Sequence, residues 1–212
     1  MRFNPSHKGS VSVQIIKIAK LAVALGMSMI LIAVATGKGL QKEIQEKTVA
    51  FNGHLVVAPF ENSESQISVL PIANDPKTLK ILNNEDGVTH VHRVALKGGL
   101  LKAGDNFEGI IMKGVSQDYQ WSKLNSFLVS GNFPVLGDKT SNEILLSGVI
   151  AKRLSIGVGD EVTAYFQNSK NQQLPNIRKF NVAGLFLSGF PDFDQNFVLG
   201  DLRHIQRINK WR

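Results

Sequence analysis

Sixteen consecutive residues, Leu21 to Thr36 (LAVALGMSMILIAVAT), carry no charge. At about 1.5 Å per residue, a helix over them covers roughly 24 Å. A bilayer's hydrocarbon core is about 30 Å thick. Val13, Ile15, Ile16 and Ile18 supply the missing length, and Lys17 and Lys20 lie where their stems can reach the headgroups. The run contains no proline. These features predict a retained membrane helix. Ala33-Val34-Ala35 also has the small-x-small pattern of a signal-peptidase site, so a cleaved leader fits the same residues. A buried core helix fits less well, because the flanking residues are too polar to wrap one.

Residues 1–20 hold Arg2, Lys8, Lys17 and Lys20 and no acid, whereas residues 37–53 hold Lys38, Lys42 and Lys47 beside Glu43 and Glu46. The excess of bases before the apolar run places the N-terminus in the cytoplasm and everything after about residue 40 outside it. With 212 residues, the chain has room for one membrane helix and one domain with a proper core. The expected division is a leader, membrane helix and stalk over 1–50, and an extracytoplasmic domain over 51–212. The net charge of +7 is scattered among acids, apart from the base-rich leader, which points to a membrane surface rather than nucleic acid. With no cysteine, disulfides, thiolate zinc sites and cysteine nucleophiles are excluded.

Beyond the apolar run, Lys38–Ala50 places Leu40, Ile44 and Val49 at near-helical spacing, and Glu43 precedes Lys47 by four residues. This predicts a helical stalk, stopped by Gly53. His54–Ala58 and Val88–Leu96 read as strands, and Asp75-Pro76 as the start of a short helix. Gly104-Asp105-Asn106 joins Gly98–Ala103 and Phe107–Lys113 as a hairpin. Tyr119, Trp121 and Leu124 form an aromatic stretch expected to pack under a loop, and Ser130–Pro134 reads as a turn. Glu143–Leu154 starts extended and becomes helical near Ser147. Glu161–Phe166 and Lys179–Leu187 form a second hairpin with a long polar tip, Gln167–Arg178. Phe190–Asp194 reads as a turn, Asn196–Leu199 as a strand, and Asp201 as the cap of a last helix with Leu202, Ile205 and Ile208 on its apolar face. Alternating short strands and helices indicate an α+β domain.

No catalytic constellation is present in the sequence. There is no G-x-S-x-G elbow. The stretch nearest to a phosphate loop has Phe133 and Asp138 in place of both glycines, which would block and repel phosphate. His90 and His92 share a strand face in this reading, with His54 as the candidate third zinc ligand; two surface histidines are the plainer alternative. Asp192 and Asp194 either pair as acid and base or belong to a solvated turn. Met27 and Met29 serve as apolar packing or as a soft wall for lipid or partner helices. The chain is therefore expected to be no enzyme, with no catalytic residue, cofactor or metal, and to bind or transmit motion.

Ile144–Asp160 (ILLSGVIAKRLSIGVGD), with Gly148, Ala151, Leu154, Gly159 and Asp160, resembles a run in permease subunits of the MacB/FtsX-like ABC transporter superfamily. The strand pair that follows it, Phe180–Gly184 within its second strand, Phe193-Asp194, Phe197–Ile208 and Gly53-His54-Leu55 are similar as well. The closest likeness is to the lipoprotein-releasing, LolC/LolE-type members.

The resemblance implies a bacterial inner-membrane permease, with a MacB-like periplasmic core domain, that transmits motion from a separate cytoplasmic ATPase. It also implies a second permease subunit or second copy, lipoprotein cargo, a periplasmic carrier and membrane lipid as partners. Pro175 and Arg178 resemble residues of the family's carrier-binding hairpin and the basic patch beside it, although Gln167–Arg178 is shorter and lacks an aromatic tip. A MacB-like efflux component, an FtsX-like hydrolase activator and a single-span binding module are the alternatives. Family permeases have three further membrane helices after the domain. The match is thus to their N-terminal part, and the domain is expected to be incomplete at its C-terminal end, with sheet edges left unpaired.

Overall fold

The computed structural model describes residues 8–60, 67–73, 75–167 and 174–211. The chain divides into two compact units, one ending at His54 and the other beginning at Leu55.

The first unit is built on α1 (Lys8–Asn52), a single helix of 45 residues. The apolar span and the stalk are one uninterrupted element. Gly53 ends it at φ +79°, with its N–H donating to Val49 O at 2.8 Å. This left-handed conformation costs glycine nothing. Ion pairs Glu43–Lys47 (3.0 Å) and Lys42–Glu46 (3.7 Å) lace the stalk at i, i+4 spacing. The apolar side chains are exposed along the span, for example Leu31 at 68%. That excludes the core-helix reading and leaves a helix long and apolar enough to cross a bilayer.

The second unit is an α+β domain. Asp75 caps α2 (Pro76–Asn84) by accepting from Lys77 N–H at 3.1 Å, with Pro76 at the first helical position, as the sequence predicts. The strands are β1 (Val94–Ala103), β2 (Asn106–Val115), β3 (Leu128–Gly131), β4 (Glu143–Ser147), β5 (Glu161–Phe166), β6 (Asn176–Phe186) and β7 (Phe197–Asp201). They alternate with α3 (Gly148–Leu154), α4 (Pro191–Asn196) and α5 (Leu202–Asn209). The β1–β2 hairpin turns on Gly104-Asp105, with Gly104 at φ +56°. Ser147 caps α3 where the extended run becomes helical.

The sheet order is β3-β6-β4-β7-β2-β1-β5, and β5 also pairs with β6. The ladder therefore closes on itself through six strands, with β3 added outside. The length of β6 makes this closure feasible. Its first half pairs antiparallel with β5 and its second half parallel with β4. β5 is paired on both sides, whereas β3 pairs on one side, with β6. Strict alternation directs Val162, Ala164 and Phe166 of β5, and Phe180 and Val182 of β6, into the core. There they meet Ile150 and Leu154 of α3 and Leu202, Ile205 and Ile208 of α5. Gly114 admits α5 to the sheet, since a Cβ there would lie 2.8 Å from Leu202 Cα.

Four local expectations fail. His54–Ala58 forms no strand, and Leu55 is 86% exposed. β-propensity without a ladder partner does not hold a strand. The predicted strand at Val88 begins at Val94, where β2 starts to pair. Ser130 and Gly131 are not a turn but the end of β3, which a bulge fits to β6. Phe190–Asp194 leads into α4 rather than remaining a solvated turn.

Candidate functional site

The residues singled out for chemistry do not converge. The His90 and His92 rings lie 5.7 Å apart, before β1 rather than on it, and His90 Nε2–H donates to Asp118 O at 2.6 Å. His92 also meets Tyr119 edge-on, and burial lowers its pKa. Among the described residues, no group of three His, Asp or Glu side chains is placed to hold a metal.

Asp192 and Asp194 have parted environments. Asp192 is exposed and Asp194 is buried. The Asp194 carboxylate accepts from Ser188 N–H and Ser188 Oγ–H at 2.8 Å and from Gly189 N–H at 2.9 Å, while Ser147 Oγ–H donates to its backbone carbonyl. A carboxylate that accepts three hydrogen bonds from its own loop organises that loop. Asp194→Asn presents an amide N–H to these donors, so unfolding in detergent is expected to cost about 1–3 kcal/mol less. Equal stability of the variant would remove the loop-organising role.

The hairpin named by resemblance is placed only in part. Residues 168–173, its tip, lie outside the described residues. Pro175 is exposed immediately before β6, next to the exposed Leu174. Arg178 pairs across from the buried Ala164 and so shares the inner sheet face with Phe180, while its Nη1 donates to Ile177 O at 2.7 Å. On that face, β6 lies beside α5, whose His204 ring meets Phe180 edge-on at 4.9 Å. Burial lowers the His204 pKa, the Ser141 carbonyl and Asp201 oppose this, and Arg178 and Arg207 reinforce it. Arg178 thus lies within electrostatic range of His204, on the face opposite Ile177 and Lys179.

Sequence reading missed this proximity because His204 and Arg178 lie far apart in the chain. Strand parity within β6, Phe180 in and Ile177 out, was the signal available for Arg178. Also missed was a cross-strand row on the outer face, Leu100–Tyr165–Ile177, set by the β1–β5 and β5–β6 registers.

A second polar centre joins β7 to α5. The guanidinium of Arg203 grips Asp201 at 2.6 Å and donates to the carbonyls of Gly137, Asp138 and Lys139 at 2.7–2.8 Å. Burial pushes the Asp201 carboxyl up. Hydrogen bonds from Arg203 and from the Ser141 and Arg203 amides outweigh that and hold it below the usual carboxylate range. Asp201 caps α5 by accepting from Arg203 N–H at 2.9 Å, the role the sequence assigns to it.

Comparison with known proteins follows the same outline. The model of the MacB-like periplasmic core domain matches residues 18–211. The lipoprotein-releasing system transmembrane protein LolC of Xylella fastidiosa is 24% identical over 197 residues, which cover 89% of this chain and 44% of the relative. Its counterpart in Neisseria meningitidis is 21% identical over 196 residues, 89% of this chain and 45% of the relative. The chain spans less than half the length of these relatives. Among solved structures, the extracellular domain of the noncanonic ABC-type transporter YknZ from Gram-positive bacteria aligns with a TM-score of 0.45. It is 16% identical and covers 62% of this chain and 64% of that one.

Proposed function

Because the chain belongs to the MacB-like periplasmic core domain family, we propose that it is a permease subunit of an ATP-driven lipoprotein-releasing transporter. It has no catalysis of its own and carries motion from a separate cytoplasmic ATPase to the extracytoplasmic domain. The observation that carries this reading is the length of α1. Residues 37–52 extend the helix past the apolar span without a break, by about 24 Å. A membrane anchor needs no such extension, whereas a lever does. The LolC relatives, matched over 89% of the chain, support the lipoprotein-releasing assignment over efflux or hydrolase activation.

In this reading the N-terminus is cytoplasmic, residues 1–50 form leader, span and stalk, and residues 51–212 lie outside the inner membrane. A second permease subunit or second copy, cargo lipoprotein and lipid complete the machine. Pro175 and Arg178 form part of the surface offered to a periplasmic carrier.

Two experiments test the proposal. The chain has no cysteine, so Lys139→Cys is a unique label. A membrane-impermeant maleimide is expected to reach it from the outside of intact cells, and labelling only after permeabilisation would refute the topology. Gln41→Pro breaks the stalk, at about 3 kcal/mol or more. The variant is expected to insert normally and to leave ATP hydrolysis by the copurified ATPase running without cargo release. Cargo release at the original rate would rule out mechanical coupling through α1.

A further inference from the structure

Residues 132–142 link β3 to β4 without regular structure. Their ends are tied to β6. Asn132 N–H donates to Ala183 O, and Asn181 N–H donates to Asn142 O, both at 2.9 Å. In between, side chains from other elements hold the segment. Five hydrogen bonds converge from the β7–α5 corner: Arg203 to three carbonyls, Asp201 Oδ2 from Ser141 N–H at 2.9 Å, and His204 Nε2–H to Ser141 O at 2.8 Å. Gln117 Nε2 donates to Gly137 O, and Glu143 accepts from Val135 N–H at 2.8 Å. At the near end of the segment, Phe133 stacks on Trp121, with ring centroids 5.3 Å apart, and Trp121 continues into Tyr119 and His92 edge to face.

We infer that residues 132–142 are a latched strap: the first turn of α5 holds it shut, and its release uncovers the face of Trp121. Two features make it releasable. The backbone of Gly137–Lys139 is exposed, so water can take over the carbonyls that Arg203 satisfies. Asp201 and Arg203 remain paired with each other when the strap leaves, so no buried charge is orphaned. The strap thus has the marks of a local unit that opens below the global unfolding free energy. The position of α5 and the exposure of the aromatic row are then one coupled variable. This inference does not depend on the transport reading, and its test uses neither ATP nor cargo.

The test uses the full chain in detergent, with Trp211→Phe leaving Trp121 as the lone tryptophan of the two. Arg203→Gln is expected to raise acrylamide quenching of Trp121 about twofold. It should also speed hydrogen exchange of the strap amides about tenfold or more while the β1–β2 amides keep their rates. Strap amides at the original rate, or acceleration shared equally with β1–β2, would overturn the latch. Should Arg203→Gln fail to fold, the unsubstituted chain decides the matter. In mild denaturant its strap amides are expected to exchange through an opening with a smaller denaturant dependence than β1–β2, and a single shared opening would refute the inference.

Discussion

Phe166→Ala is expected to destabilise the domain by about 3–5 kcal/mol. Phe166 is fully buried at the end of β5, where the ladder closes. It pairs with Gly99 of β1 on one side and Asn176 of β6 on the other. The β1–β5 contact runs only from Gly99 to Lys102, so a ring-sized cavity there removes packing from a short link in the closure. The Phe166 ring also explains Gly99, because a Cβ at that position would lie 2.7 Å from it. Gly99→Ala alone should therefore be costly, and much less so once the ring is gone, with only Tyr165 O then close at 3.1 Å. Denaturant unfolding of the two single variants and the double variant in detergent should show a coupling of about 1 kcal/mol or more. Strict additivity would show that the ring does not dictate the glycine.

Lys113→Met is expected to stabilise the protein at neutral pH and to remove most of a rise in stability above pH 8. Burial on the sheet pulls the Lys113 ammonium down to about 8. The unfolded chain holds that proton to about 10.5. Between these values the unfolded state binds more protons, so stability climbs with pH. Below 8 both states are protonated, and the full penalty, roughly 3 kcal/mol, remains. Tyr119 acts in the opposite sense, since burial pushes its hydroxyl up to about 12, and stability falls as pH rises from 10. Thermal unfolding should therefore peak near pH 10. The climb from 8 should shrink in Lys113→Met to the smaller part that Lys97 supplies, since burial lowers its pKa in the same sense, and an undiminished slope would assign the climb to another group.

Much of the fold was legible in local signals. The continuous helix through span and stalk, the Gly104-Asp105 hairpin, the cap at Ser147 and the alternation of β5 all follow from period and turn chemistry. The errors share a cause. His54–Ala58 and Val88–Arg93 have strand composition but no ladder partner at their positions, and β3 is a strand only because β6 offers it an edge. At the candidate site, resemblance pointed to Arg178 but not to its surroundings. His204 comes within electrostatic range of it only because the Phe180 and His204 rings bring β6 and α5 together. Asp194 looked solvated because nothing in FPDFD announces that Ser188 and Gly189 fold back over it.

That an uncharged run leads into a charged helical stalk and then an α+β domain could be read from the chain alone, because helix length, period and capping are local properties. The tertiary structure decided how the domain closes, which face Arg178 takes and what Arg203 grips. Those depend on β6 serving β5 with one half and β4 with the other, a pairing between segments far apart in sequence that no local pattern encodes.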